Sequence, residues 1–285
     1  MRQRKHQLVR QRAFQALWYG LALIVLILPL SALAESDYPA LPIEGLEVGK
    51  PAIVVEVTDG DTLTLDDGRV VRLVGIQAPK LPLGRKGFRK WPLADESKQL
   101  LEELSLGQRV TPYLGGRGMD RWGRVLAHLQ RDDGVWLQGA LLQAGLARTY
   151  SFADNTALVA EMWALEQAAR NDRRQMWRRS YYAIRAASGV GPYEGSFQLV
   201  EGIVLDVARV RGRTFLNFGS DYRKDFTVLV PSKVRRAFEK AGQPLEALKG
   251  QAVRVRGWVK EWNGPMIELT HMEQLERLSP DEAGP

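Results

Sequence analysis

Residues 55–80 read VEVTDGDTLTLDDGRVVRLVGIQAPK, and three short apolar-alternating runs are legible in and around them: Ile53–Val57, Leu63–Leu65 and Val70–Ile76. Asp59-Gly60-Asp61 separates the first two, and Asp66-Asp67-Gly68 the next two. Both separators have turn chemistry, because glycine tolerates a positive φ and aspartate bonds its own backbone. A three-stranded meander is expected, with Asp61 and Arg72 near strand ends. It closes at Ala78-Pro79-Lys80, since proline cannot continue an interior strand.

The flanks set the organisation. At 285 residues the chain has room for one large or two ordinary domains. Arg2, Arg4, Lys5, Arg10 and Arg12 precede an apolar run from Leu17 to Leu30, and Ala32-Leu33-Ala34 follows in a small-x-small pattern. That is the layout of a secretory signal peptide, and an uncleaved membrane anchor is the alternative, since residues 13–34 are long enough to span a bilayer. The expected location is outside the cytoplasm, periplasmic or extracellular, with membrane attachment only through this segment. Those five basic residues carry +5 of the formal +7 and leave about +2 for the rest, so net charge alone does not point to a polyanionic partner. With no cysteine, disulfides, cysteine-linked lipids and thiolate chemistry are excluded.

Ser36–Pro51, with three prolines, reads as an extended linker. Leu81–Pro92 reads as an irregular basic loop, Leu93–Leu104 as a helix, Gln108–Leu114 and Arg124–Leu129 as two further strands. Val135–Ala144 has the pattern of a short amphipathic helix and Asn155–Trp177 that of the longest one. Five strands with a helix after the third describe an oligonucleotide/oligosaccharide-binding (OB) type of barrel. Beyond a Gly-rich linker at Ser188–Gly195, Val200–Val210, Thr214–Phe218, Phe226–Val230, Ala252–Val259 and Met266–Leu269 alternate as strands, with a helix at Val234–Ala241. The expected class is therefore mainly β (α+β), with two OB-type five-stranded barrels, added helices and an N-terminal signal or anchor helix. The expected divisions are 1–34 leader, 35–51 linker, 52–180 first barrel, 181–196 linker, 197–277 second OB-like domain and 278–285 tail.

Asp59-Gly60-Asp61-Thr62, the strand carrying Arg72, the Gln77-Ala78-Pro79-Lys80 end, Asp120-Arg121-Trp122-Gly123-Arg124 and Leu142-Gln143-Ala144-Gly145-Leu146-Ala147 together resemble the staphylococcal nuclease (thermonuclease) family over residues 52–180. The resemblance implies an OB barrel that hydrolyses DNA or RNA phosphodiesters with calcium. It places Asp61 on the first calcium carboxylate, and Arg72 and Arg124 on the two phosphate-clamping arginines. It also places Gln77 where the second calcium carboxylate belongs and Lys80 where the glutamate general base belongs. The segments Phe215-Leu216-Asn217-Phe218-Gly219 and Val253-Arg254-Val255-Arg256-Gly257-Trp258 resemble small OB-type nucleic-acid-binding modules.

Arginine suits phosphate because its planar fork pairs two oxygens at once, so Arg72 and Arg124 are the expected clamp. Lys80 is a third candidate for catalysis or for holding phosphate. Arg121, Tyr150, Lys86 and Arg89 are candidate contacts to single-stranded DNA or RNA. Asp61 and Gln77 are the candidate ligands for calcium or another divalent cation, at a weakened site. Calcium wants six to eight oxygens, and an amide at 77 removes one negative charge while Lys80 adds a positive one. At an effective dielectric near 20, unit charges 4 Å apart interact by about 4 kcal/mol. Three readings follow: an exported thermonuclease-like phosphodiesterase, a catalytically impaired nucleic-acid- or polyanion-binding envelope protein, and a cell-envelope adaptor using its barrels for protein contacts.

Overall fold

The computed structural model describes residues 37–279; the leader expected over residues 1–34 and the tail from residue 280 lie outside the described residues. In chain order the first half contains β1 (Glu47–Val48), β2 (Ala52–Asp59), β3 (Thr62–Leu65), β4 (Val70–Leu73), β5 (Ile76–Gln77), α1 (Ala94–Ser105), β6 (Arg109–Leu114), β7 (Val125–Arg131), α2 (Leu137–Gln143), β8 (Arg148–Thr149) and α3 (Val159–Asn171). The sheet order is β1-β6-β2-β3-β4-β7, and pairing of β6 with β7 closes β2-β3-β4-β7-β6 into a five-stranded barrel. β4 and β7 run parallel, in register Val71 with Val125 and Leu73 with Ala127. Inward positions of the alternating strands (Val54, Leu63, Leu65, Val71, Leu73, Val110, Leu129) fill the barrel, and Leu101 of α1 with Leu137 and Leu141 of α2 plug it.

The run expected as one strand over Val70–Ile76 is broken. Gly75 turns the chain at φ +81°, and β5 leaves the barrel to pair with β8 through Ile76–Thr149 and Gln77–Arg148. A Cβ at Gly75 would also collide with Met162 of α3. Nor is the helix expected over Val135–Ala144 amphipathic. Leu137–Leu142 are all buried, and Gln138 among them accepts the Leu129 N–H at 3.1 Å and donates to Ala127 O at 2.9 Å. The long helix is shorter at both ends. Leu158 precedes it in the left-handed region, and Arg173 follows in the same region before a 3-10 turn at Gln175–Arg178. Within the stretch expected as an extended linker, β1 adds a short edge to β6 and Leu41 is buried.

The second half contains β9 (Arg185–Ala186), β10 (Phe197–Ile203), β11 (Asp206–Val210), β12 (Arg213–Asn217), β13 (Thr227–Val230), α4 (Ser232–Lys240), β14 (Ala252–Glu261), β15 (Pro265–Glu268) and β16 (Leu275–Arg277). Its sheet order is β11-β12-β13-β15-β14-β10-β9, with β16 also on β14. Val200–Val210, expected as one strand, is two: between them the buried Val204 donates to Gln251 O at 3.0 Å, and Leu205 to Asn217 O at 2.8 Å. Ser188–Gly195, expected as a Gly-rich linker, forms 3-10 turns and places Val190 in the second core. The described residues thus form a mostly β structure with a closed five-stranded barrel and four α-helices.

Candidate functional site

The β2–β3 turn is the geometric centre. Gly60 has no room for a side chain, since a Cβ would collide with Ser97 of α1 and with Ala78. That close approach seals the turn and turns Asp61 inward, where it is fully buried. Its backbone carbonyl accepts the Leu73 N–H at 2.9 Å, and its carboxylate accepts the Ala78 N–H at 2.8 Å.

The charged groups that contact the Asp61 carboxylate are cations. Lys80 Nζ lies 2.7 Å from Oδ1 and 2.6 Å from Oδ2, bridging both oxygens, and 3.6 Å from Asp59 Oδ2. Arg72 Nη2 lies 3.2 Å from Asp61 Oδ2 and donates to Ile76 O at 2.6 Å, while Nη1 donates to Leu73 O. Burial works to raise the Asp61 carboxyl, but Arg72 and Lys80 outweigh it and hold it at about 2, below the ordinary 3.8. Asp59 moves the other way, raised by burial and then by the charge of Asp61. Arg72 is therefore a brace of the β4–β5 corner as well as a cleft residue.

Gln77 does not face this cluster with a free oxygen. Its Oε1 accepts from Arg148 Nε at 2.9 Å and Nη2 at 2.7 Å. Arg148 is only 6% exposed, and burial pulls it down to about 10 from 12.5. These contacts leave calcium without a donor set. Asp61 has both oxygens capped by an ammonium, Gln77 is committed to Arg148, and no cluster of three His, Cys, Asp or Glu residues suited to a metal occurs among the described residues. A hard cation wanting six to eight oxygens does not fit.

Beside the cluster lies a cleft of about 480 Å³, lined by Arg72, Gln77, Lys80, Arg121, Arg124 and Tyr150 among others. Arg124 Nε bonds Asp120 Oδ2 at 2.8 Å, and Asp120 also accepts the Trp122 and Arg124 N–H groups, which fixes the turn. Arg121 stacks over Trp122, 4.1 Å from guanidinium carbon to ring centre, and makes no ion pair with the described residues. Of the sequence candidates, Asp61, Arg72, Gln77, Lys80, Arg121, Arg124 and Tyr150 come together here. Lys86 and Arg89 are exposed on the loop after β5 and do not line the cleft.

Sequence reasoning missed Arg148 and the C-terminal contacts of Tyr150. Tyr150 packs edge-on against Phe197 at 4.7 Å, and its hydroxyl accepts from Trp258 Nε1 at 3.2 Å. The segment that presents both residues is fastened from below. Glu166 accepts the Thr149 N–H at 2.6 Å and pairs with Arg256 of β14 at 3.1 Å, and Arg256 also pairs with Glu276. Burial works to raise Glu166, but Arg256 and Arg170 outweigh it and hold it at about 2. The one signal available was the pairing of Arg254 and Arg256 on an otherwise apolar strand, whose alternation puts both on one face.

A closed five-stranded barrel capped by helices, with a buried aspartate and two arginines at one rim, defines a nuclease-type scaffold. The family model for staphylococcal nuclease homologues matches residues 70–179, and the chain belongs to that family. It is 30% identical over 127 residues to an uncharacterized endonuclease of Escherichia coli, a match spanning 44% of this chain and 74% of that one. It is also 30% identical over 128 residues to endonuclease YncB of Bacillus subtilis, spanning 44% and 60% respectively, and to an SPbeta prophage-derived endonuclease of the same organism, spanning 44% and 43%.

Proposed function

We propose that this chain binds the phosphodiester backbone of single-stranded DNA or RNA in the cleft of the first barrel, with a resident ammonium where the family holds a metal, and without calcium-dependent hydrolysis. The observation that carries this reading is Lys80 Nζ bridging both oxygens of Asp61. An ammonium supplies one positive charge and three donors, but it does not acidify a water as a bound metal does. Arg124 at the mouth, with Arg121 and Tyr150, offers the phosphate and base contacts; Arg72 contributes charge from behind. The leader over residues 1–34 directs export, or anchors the chain if it is not cleaved. The bend at Val204–Leu205 supports reading β10 and β11 as one kinked strand that completes a second OB-type barrel over residues 197–277, with the first domain over 52–180.

A second reading is hydrolysis with the ammonium as the electrophile, favoured by relatives that are named endonucleases. One experiment separates the two. The chain is incubated with single-stranded DNA and RNA in calcium, magnesium, manganese or chelator, beside Arg124→Ala. Salt-sensitive binding without cleavage is the expected result. Cleavage in chelator, lost in Arg124→Ala, establishes the second reading, and cleavage that requires calcium overturns the resident-ammonium argument.

A further inference from the structure

A second cavity, of about 510 Å³, lies where the first barrel meets the C-terminal sheet, and nothing in the nuclease site accounts for it. Its walls carry Trp91, Tyr181, Tyr193, Phe197 and Trp258, together with Arg148 and Arg185, and no acidic residue lines it. The two arginines are unusual in their partners. Arg148 is nine-tenths buried yet forms no ion pair with any described residue. Two of its nitrogens bond the neutral Gln77 oxygen, and Nη1 donates to none of the described residues. Its guanidinium instead sits 4.6 Å from the Phe197 ring centre and 5.9 Å from that of Trp91. Arg185 bonds only neutral oxygens, those of Ser180, Tyr181 and Gln198, and lies over Tyr193 at 3.9 Å. A buried cation held by an amide and by ring faces is poorly compensated. Such a site favours an anion, and the surrounding rings favour a flat aromatic group beside that anion.

The cavity and the cleft are joined by side-chain contacts. Arg148 lines the cavity while holding Gln77 of the cleft, and Tyr150 of the cleft touches Phe197 and Trp258. We infer that this cavity is a nucleotide subsite, in which Arg148 and Arg185 take a phosphate and Trp258 stacks on the base of a single strand running out of the cleft. The inference rests on the reading that the cleft binds nucleic acid. It gives the C-terminal sheet a role, since Phe197 and Trp258 come from β10 and β14.

The test uses fluorescence titration of the full chain with the octamer (dT)8 at several salt concentrations. Stacking of one base is worth enough that Trp258→Ala weakens binding about tenfold or more, while Trp258→Phe, which keeps an aromatic face, stays within about threefold of the native chain. Arg185→Gln flattens the slope of log affinity against log salt by about 0.7, the value for one phosphate contact on a single strand. Arg121→Ala combined with Arg124→Ala reports on the cleft alone. If that pair weakens binding while Trp258→Ala and Arg185→Gln match the native chain in affinity and slope, the subsite is refuted and the cleft reading stands. If the native chain binds no oligonucleotide, both fall.

Discussion

Replacing Lys80 with alanine opens Asp61 to a divalent cation. In the native chain the ammonium lies 2.6 and 2.7 Å from the two Asp61 oxygens, and calcium bonds carboxylate oxygen at roughly 2.3–2.6 Å. The two cations compete for one volume, so calcium binding must first break the pair. Leaving one partner of a buried ion pair uncompensated costs about 3–5 kcal/mol. At about 1.4 kcal/mol per decade, the native affinity is suppressed by roughly two to three and a half orders of magnitude relative to Lys80→Ala. The variant keeps its fold because Arg72 remains 3.2 Å from Asp61 and the lysine site is 20% exposed, open enough for water. Calorimetric titration with calcium measures the difference directly. Thermal unfolding provides a second readout, since a ligand at a hundred times its Kd adds about 2.7 kcal/mol of stability. Gln77→Asp adds little by comparison, because Arg148 already grips that position with two nitrogens and claims a carboxylate put there. A native chain that binds calcium as tightly as Lys80→Ala refutes the argument.

Arg72→Ala lowers stability by about 2–4 kcal/mol, because it strips Asp61 and two backbone carbonyls of a buried donor; Arg124→Ala, in a partly exposed pair with Asp120, costs under about 1 kcal/mol. Denaturant unfolding of the two variants checks that contrast and decides which arginine is a clean functional control. Arg256→Met leaves Glu166 and Glu276 short of a cation, and by the 3–5 kcal/mol cost of a broken buried pair lowers the melting temperature by about 6–20 °C, at 2–4 °C per kcal/mol for this size. Glu166 falls from 4.5 to about 2 and Asp61 from 3.8 to about 2 on folding. Their contribution is complete above pH 4.5 and is lost as pH falls toward 2, and Glu166→Gln removes the glutamate share of that slope. His128 and His271 are both pulled from 6.5 to about 4 by burial. The unfolded chain therefore binds more protons between those values, and stability declines as pH drops from 6.5 to 4, with a shallower decline in His271→Gln.

What the sequence made legible was governed by local rules. The two Asp-Gly turns, the alternation of β2 and β3, and the helix after β5 follow from nearest-neighbour chemistry, and each stands within a few residues of its expected place. The failures have long-range causes. Val70–Ile76 alternates without a break, yet Met162 closes on Gly75 from α3, more than eighty residues away, and β5 leaves the barrel. The helix over Val135–Ala144 is not amphipathic because the partners of its polar Gln138, Leu129 and Ala127, lie on a strand that the helix covers only after folding. At the site, residue types set against the family resemblance showed that a carboxylate was missing at 77 and a cation present at 80. They did not show that Lys80 would reach back to both oxygens of Asp61, nor that Arg148 would take Gln77. A sequence shows that charges are unbalanced, but not which cation settles on which oxygen.

The C-terminal sheet changes what a nuclease-type barrel can do here, and the reason is the position of its buried charges. Arg256 reaches out of β14 to Glu166 and the Thr149 carbonyl, while Ser151 bonds His271 at 2.8 Å. Residues 149–151 are thus held on both sides by the second half of the chain. Tyr150 of the cleft and Arg148 of the cavity sit within or beside that clamped segment. Replacing both partners of an ion pair this buried with apolar groups costs little net stability, but the pair fixes geometry to within a hydrogen bond. On the proposed reading, loss of Arg256 disturbs oligonucleotide contacts at Tyr150 as well as melting temperature, although Arg256 lines neither the cleft nor the cavity. An Arg256→Met chain that binds (dT)8 with unchanged affinity, at a temperature where it is fully folded, shows that the clamp serves stability alone.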